Sequence, residues 1–120
     1  MRPESPHPLV HLELHTDDLA RATSFYERLL GWRGESVESG AGPYVTLDMG
    51  SDVTGGAVGC GTPKALWLPY VQVPDLVEAT ERARSLGAAV QVEPREGPVG
   101  WRSMIATPAG AAIALWQPKR

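Results

Sequence analysis

The stretch His11-Leu-Glu-Leu-His-Thr-Asp-Asp-Leu19 recurs in outline, 57 positions later, as Leu68-Pro-Tyr-Val-Gln-Val-Pro-Asp-Leu76. Each copy begins like a β-strand and then reaches an Asp-Leu pair, which is typical of a helix start. A helical pattern follows each copy and stops at a Leu-Gly pair, Leu30-Gly31 in the first half and Leu86-Gly87 in the second. The chain is therefore predicted to contain two like modules.

Three strand-like segments follow each predicted helix, so each half is predicted to be a βαβββ module. The segments lie near 32–38, 44–49 and 53–58 in the first half, and near 88–93, 101–107 and 111–117 in the second. Each helix has an apolar face that would cover its sheet. In the first helix the residues predicted to face the sheet are Leu19, Ala22, Tyr26 or Phe25, Leu29 and Leu30.

The composition argues against several classes of partner. The chain has 120 residues and a net charge of −3, without a basic stripe, so a nucleic acid is not expected. No apolar run approaches the ~20 residues of a membrane span, and the start lacks the apolar region of a signal peptide. Cys60 is the single cysteine, which excludes an internal disulfide and fits a reducing cytoplasm. We therefore expect a cytoplasmic protein.

Several motifs extend the pattern over nearly the whole chain. They are the segment His11–Leu19, the run from Phe25-Tyr26 to Leu29-Leu30-Gly31-Trp32, the restart Val73-Pro74-Asp75-Leu76, and the turn Thr107-Pro108-Ala109-Gly110 ahead of Ile113 and Leu115. On these motifs the chain resembles the vicinal oxygen chelate superfamily, which includes glyoxalase I, extradiol dioxygenases and the bleomycin and fosfomycin resistance proteins. The helix run and the final turn are the more specific of the motifs.

The resemblance implies an α+β protein with the glyoxalase/bleomycin resistance/dioxygenase-like fold, in which two βαβββ modules curl their sheets into a shared cup. We expect one domain over residues 1–120, with module one at about 9–58, a hinge at 59–65 and module two at about 66–117. The implied function is the binding of a small organic molecule in the cleft between the sheets.

Metal-dependent members of the superfamily place four His or Glu ligands on strands that face the cup. The resemblance carries these positions onto His11, Ala57, Leu68 and Ala114. Alanine and leucine have no donor atom, and one imidazole cannot hold a divalent cation that takes four to six ligands. His11 is thus the single family ligand position that is retained, and we expect no cofactor, with a divalent metal as the alternative.

Strand alternation places His11, Glu13 and His15 on one face of the first strand. A rise of ~3.3 Å per residue puts His11 and His15 about 13 Å apart along the strand, too far for their rings to share one ion. An adjacent pair, His11 with Glu13 or Glu13 with His15, is close enough. The favoured interpretation is a hydrogen-bonded polar strip that lines the cleft, with His11 and Glu13 as candidate acid and base.

The second module offers an aromatic wall for the same cleft. Alternation places two residues of its first strand and two of its last strand beside the polar strip. With His15, these are the candidate ligand-binding residues: Tyr70, Gln72, Ala114 and Trp116. Such a mixture of apolar walls and a few polar groups is typical of small-molecule pockets.

The remaining large side chains are expected to serve the fold. Trp32, Trp67 and Trp101 are predicted to lie in the core or in a dimer contact. Arg102 is expected to be an exposed strand residue, with anion binding or stacking on Trp101 as the alternative.

Four functional hypotheses stay open at this point. The first is a non-catalytic binding protein for a small-molecule ligand. The second is a lyase, isomerase or dioxygenase-type enzyme that uses His11 and Glu13, with His15, as acid and base or as residual metal ligands. The third is a metal enzyme with a displaced ligand set, and the fourth is a partner module without a ligand. A homodimer is expected in each case, because superfamily members commonly dimerise and open sheets leave edge strands to cover.

Overall fold

The computed structural model of the protein describes residues 7–37, 43–97 and 99–119. The chain divides into two compact units. The N-terminal unit is His11–Leu68, and the C-terminal unit is Pro69–Arg120 together with Met1–Val10. The order of elements is βαβββ twice, so the predicted fold class is confirmed.

The first sequence repeat forms a four-stranded sheet with one helix. Its strands follow the order β2-β3-β4-β1, in which β1 and β4 are parallel and the other pairs are antiparallel. The elements are β1 (Leu9–Thr16), α1 (Leu19–Leu30), β2 (Arg33–Val37), β3 (Tyr44–Asp48) and β4 (Thr54–Gly59). The predicted strands match within two residues wherever they are described; Glu38, the predicted end of β2, lies outside the described residues.

The second repeat has the same architecture. Its strands follow the order β5-β8-β7-β6, with β5 and β8 parallel and the remaining pairs antiparallel. The elements are β5 (Leu66–Gln72), α2 (Leu76–Ser85), β6 (Ala89–Glu96), β7 (Gly100–Ala106) and β8 (Ala112–Pro118). Among the described residues, no helix has both the length and the apolarity to cross a membrane.

Both helices begin at the predicted aspartates. The Asp18 carboxylate accepts a hydrogen bond from the Arg21 backbone N–H, and Asp75 accepts one from the Glu78 N–H, at 3.1 Å in each case. These bonds satisfy N–H groups that have no partner within the helix. Helix α1 ends at Gly31, whose φ of 72° lies in the left-handed region that glycine adopts without strain.

Each helix packs on one face of its own sheet. In the N-terminal unit the buried cluster is Leu14, Val45, Leu47 and Ala57, and it contacts α1. In the C-terminal unit the buried cluster is Val73, Leu76, Ile105 and Leu115, and it contacts α2. The opposite face of each sheet therefore holds the alternate residues, among them the predicted site residues.

The prediction for the apolar face of α1 was partly wrong. Leu19, Ala22 and Tyr26 pack against the core as expected. Phe25, Leu29 and Leu30 are instead exposed, by 57%, 62% and 50%. Phe25 is rotated by about 100° from Tyr26 around the helix, and the two leucines stand in the last turn, beyond Tyr26.

Three of the four tryptophans lie on the helix side of the two units. The Trp32 ring stacks on Tyr26 at 5.5 Å between centroids, and Trp67 meets the same ring edge-on at 5.4 Å. The Trp67 indole N–H also donates to the Tyr26 hydroxyl at 3.1 Å. Trp101 packs against the buried cluster of the C-terminal unit.

A buried hydroxyl pair joins α2 to β7. Thr80 and Ser103 are fully buried, and their hydroxyl oxygens lie 2.8 Å apart. The Thr80 hydroxyl also donates to the Leu76 carbonyl at 2.7 Å. Thr80 therefore has two partners, whereas the Ser103 hydroxyl depends on Thr80.

This asymmetry gives a testable prediction. Thr80→Val is expected to lower the free energy of unfolding by about 1–3 kcal/mol, because it leaves the buried Ser103 hydroxyl without a partner. Ser103→Ala should cost less, because Thr80 keeps its bond to the helix. Urea unfolding of the two single variants and the double variant measures the effect. Additive losses in the double variant would show that the two hydroxyls are not coupled.

Candidate functional site

The face of the N-terminal sheet opposite α1 carries the predicted polar residues. Leu14 points into the core, so strand alternation places His11, Glu13 and His15 on the other face of β1. The parallel neighbour β4 sets Thr54 beside His11 and Gly56 beside Glu13. The backbone thus brings polar side chains of two strands together.

Glu13 is the centre of this arrangement and is 7% exposed. The His15 Nε2 atom lies 2.8 Å from Glu13 Oε1. The Tyr44 hydroxyl donates to Glu13 Oε2 at 3.3 Å, and His11 Nε2 lies 3.5 Å from the same oxygen. A buried carboxylate is stable when hydrogen bonds replace its lost hydration, and here both oxygens have partners.

His11 is held through both of its ring nitrogens. Nδ1 lies 2.6 Å from the Thr54 hydroxyl oxygen, and Nε2 lies 3.2 Å from the Tyr44 hydroxyl oxygen. We call His11, Glu13, His15, Tyr44 and Thr54 the polar cluster. Hydrogen bonds join the three residues of β1 to side chains of two further strands, β3 and β4. That this strip lines a cleft stays a prediction.

Sequence reasoning missed three residues of this site. Tyr44 and Thr54 lie on strands whose pairing could not be read from the sequence, and Gly56 lies beneath the Tyr44 ring. One signal was present: Gly55-Gly56 lies inside a predicted strand, and glycine within a strand often marks the close approach of another group.

The C-terminal sheet also carries a distinct face opposite its helix. Tyr70 pairs with Ala114, and Gln72 pairs with Trp116, so these four predicted residues lie side by side. The Tyr70 and Trp116 rings lie 6.3 Å apart at a tilt of 60°. Tyr70 is 5% exposed, and Ala114 is fully buried.

Arg102 corrects an expectation from the sequence. It is half-buried rather than exposed, and its Nη1 donates to the Tyr70 hydroxyl at 2.5 Å. It pairs with Trp116 across β7 and β8, whereas Trp101 points to the opposite face and packs in the core. We call Tyr70, Arg102 and Trp116 the aromatic face.

The structure therefore places the predicted site residues in two groups. His11, Glu13 and His15 are in the N-terminal unit, and Tyr70, Gln72, Ala114 and Trp116 are in the C-terminal unit. Within each unit the predicted neighbours lie together. A cleft that joins the two groups stays a prediction.

The residues at the superfamily's metal positions do not fit a divalent cation. Leu68 and Ala114 are fully buried, and their side chains have no donor atom. The expectation for Ala57 was wrong, because Ala57 pairs with Leu14 and lies in the core on the α1 side of the sheet. The residue of β4 beside Glu13 is Gly56, which has no side chain. Both ring nitrogens of His11 already have protein partners. Within the described part of the chain, no group of three or more His, Cys, Asp or Glu residues could hold a metal ion.

A scan of family models matches residues 9–115 to the Glyoxalase/Bleomycin resistance protein/Dioxygenase superfamily. The chain belongs to this superfamily. The superfamily suggested by the sequence motifs is therefore confirmed, and so is the glyoxalase-like fold.

Two curated proteins are similar to the chain in sequence. "Putative glyoxylase CFP32" of Mycobacterium tuberculosis is 28% identical over 117 residues, covering 91% of this chain and 45% of the relative. "Anthracycline biosynthesis protein DnrV" of Streptomyces peucetius is 28% identical over 123 residues, covering 88% of this chain and 45% of the relative. The chain thus spans less than half the length of these curated relatives.

Solved glyoxalase-like structures match over almost the full chain. A hypothetical protein, BH1468, from Bacillus halodurans has a TM-score of 0.73 at 12% identity, covering 97% of both chains. The methylmalonyl-CoA epimerase of Mycobacterium tuberculosis has a TM-score of 0.67 at 21% identity, covering 100% of this chain and 94% of the epimerase. At such identities the likeness shows the fold alone.

Proposed function

We propose that this glyoxalase-like protein binds a small organic molecule at its polar cluster, without the metal ion that the superfamily usually uses. The observation that carries the proposal is Glu13, a buried carboxylate hydrogen-bonded to His15 and Tyr44 on the face opposite the helix. Burying a charged group costs free energy even when it is hydrogen-bonded, so a buried carboxylate in a small domain favours a functional role over a purely stabilising one.

The chemistry at the metal positions supports binding without an ion. The side chains of Leu68 and Ala114 have no donor atom, and Gly56 places no side chain beside Glu13. The His11 ring contacts Thr54 and Tyr44 instead. A ligand would therefore meet hydrogen-bonding side chains rather than a cation.

The aromatic face of the C-terminal unit is a second candidate surface for an apolar ligand. Trp116 is partly exposed and is flat and apolar, and Gln72 and Arg102 are its partly exposed polar neighbours on paired strands. The name of the Streptomyces relative, an anthracycline biosynthesis protein, suggests a planar aromatic molecule as a first probe. A planar ring would gain both apolar burial and stacking there.

A specific contact favours proton transfer as the second candidate function. Glu13 Oε1 and His15 Nε2 are 2.8 Å apart, a pair able to share a proton. In an isomerase of this kind Glu13 would accept a proton from an acidic C–H bond and return it to another carbon. The electron pair would move into the adjacent double bond between these two steps.

We also propose a homodimer in the cytoplasm. Strand β2 ends its sheet and is exposed along all five residues, so a second copy could cover it. The exposed thiol of Cys60 fits a reducing compartment. Size-exclusion chromatography with light scattering should give the mass of two chains. A mass of one chain at high micromolar concentration would contradict the dimer.

A binding screen tests the main proposal. Wild-type protein would be titrated with an anthracycline, bleomycin and a fragment library, and melting temperature would be followed. A ligand at 100 times its Kd should stabilise the protein by about 2.7 kcal/mol. The compounds that bind wild type should bind Glu13→Gln at least about tenfold more weakly, a loss of about 1.4 kcal/mol. Equal binding to both proteins would remove the polar cluster from the ligand site.

A separate titration tests the absence of the family ion. Calorimetry with Zn²⁺, Ni²⁺, Mn²⁺ and Fe²⁺ is expected to show no stoichiometric site of micromolar affinity. A stoichiometric site that His11→Ala abolishes would show that a displaced ligand set exists.

A further inference from the structure

Tyr44 reaches the polar cluster from a strand that does not adjoin β1. It lies on β3, where its backbone pairs with Val58 of β4. Its hydroxyl nevertheless contacts Glu13 and His11 on β1, at 3.3 and 3.2 Å. The Tyr44 side chain must therefore cross the intervening strand β4.

Gly56 provides the space for this crossing. A Cβ atom at Gly56 would overlap the Tyr44 hydroxyl oxygen and would lie 2.7 Å from Tyr44 Cζ. The backbone of Gly56 does not have positive φ, so no turn requires glycine here. Because Gly56 has no side chain, the end of the Tyr44 side chain can occupy this space. We call this space the seat of Tyr44.

The directions of the hydrogen bonds show how the Tyr44 hydroxyl acts on Glu13 and His11. The Tyr44 hydroxyl has one proton, which it donates to Glu13 Oε2. Its contact with His11 must then be donated by His11 Nε2–H. In the neutral form of the ring, Nδ1 therefore accepts from the Thr54 hydroxyl. Tyr44 thus selects one tautomer of His11 and orients the Glu13 carboxylate.

We propose that Tyr44, seated on Gly56, is a positioning residue for His11 and Glu13. It acts through these two side chains, as groups of the outer shell orient ligands and bases in other sites. The functional meaning of this role rests on the proposed function of the polar cluster. The effect of Tyr44 on the His11 tautomer can be measured without any ligand.

Two variants remove the interaction in different ways. Tyr44→Phe keeps the ring and removes the hydroxyl, whereas Gly56→Ala keeps every polar group and removes the seat. Tyr26→Phe is the matched control, because its hydroxyl accepts from Trp67 on the helix side of the sheet. Long-range ¹H–¹⁵N spectra of the histidine rings report tautomers directly, and the chain has three histidines.

In ligand-free wild type, His11 should show the tautomer with a proton on Nε2. Both Tyr44→Phe and Gly56→Ala should shift the His11 ring nitrogens and populate the second tautomer, while His7 stays unchanged. Tyr26→Phe should leave His11 unchanged. Circular dichroism and melting curves show whether each variant folds, and Tyr44→Phe decides alone if Gly56→Ala does not fold.

Unchanged His11 resonances in folded Tyr44→Phe would overturn the proposal, as would the opposite tautomer in wild type. Neither result depends on the binding screen. A positive tautomer result with no ligand found would keep the positioning role and remove the binding function. If a ligand bound at Glu13 but the His11 resonances of Tyr44→Phe were unchanged, the binding function would be kept and the positioning role removed.

Discussion

Glu13→Gln is expected to lower the free energy of unfolding by about 2 kcal/mol, because it replaces charge-assisted hydrogen bonds with neutral ones inside the protein. The amide has the shape of the carboxyl group, but its NH₂ group cannot accept. One of the present donors, His15 or Tyr44, would then face another donor. Urea unfolding monitored by circular dichroism measures the loss.

The control for this variant is Glu35→Gln on β2, where the residue is exposed. The same chemical change there is expected to alter the free energy of unfolding by less than about 0.5 kcal/mol. Equal losses at the two positions would mean that Glu13 has no special environment. If Glu13→Gln were more stable than wild type but had lost ligand binding, Glu13 would be a residue retained for binding at a cost in stability.

Gly100→Ala should be the most destabilising of the glycine substitutions considered for this fold. A Cβ atom at Gly100 would lie 2.5 Å from the Gln117 carbonyl oxygen and 2.7 Å from the Trp116 ring. Because one of the two obstacles is backbone, a side-chain rotation cannot relieve the overlap. We expect the free energy of unfolding to fall by about 3 kcal/mol, the upper range for overpacked sites.

Gly61→Ala is the matched control, because among the described residues no atom beyond its two chain neighbours lies within 4 Å of the added Cβ, and its φ is not positive. Its stability should equal that of wild type or rise slightly, since alanine restricts the unfolded chain. If Gly100→Ala were as stable as Gly61→Ala, β7 and β8 would have to separate more easily than their register indicates. The Trp116 side chain would then be mobile enough to move away from the added Cβ.

Local rules explain why most of the fold could be predicted. The period of apolar residues located the elements to within about three residues, and Asp18, Asp75 and Gly31 marked helix ends through their own hydrogen bonds and dihedral angles. Such signals lie within one segment of chain. The apolar face of α1 was misjudged because the extent of the core beneath its last turn is a property of the sheet, not of the helix.

The same contrast between local and long-range signals applies to the residues of the candidate site. His11, Glu13 and His15 could be grouped from strand alternation, because they share one strand. Tyr44 and Arg102 could not be predicted, because their roles depend on which strands pair and in what register. Pairing register is a long-range property that a single sequence leaves open.

The duplication is retained in the fold but not in the side chains of the site. Both units keep the βαβββ order and the aspartate caps. At equivalent positions, however, His11 corresponds to Leu68 and Glu13 to Tyr70. One unit thus carries the polar cluster, and the other carries the aromatic face.

The most direct test of metal-free binding is a calorimetric titration of the tightest compound from the screen, with and without a strong chelator. Wild type should bind with the same Kd in both buffers, and Glu13→Gln should bind at least about tenfold more weakly in both. Binding that disappears in the chelator and returns with added Zn²⁺ or Mn²⁺ would contradict the account.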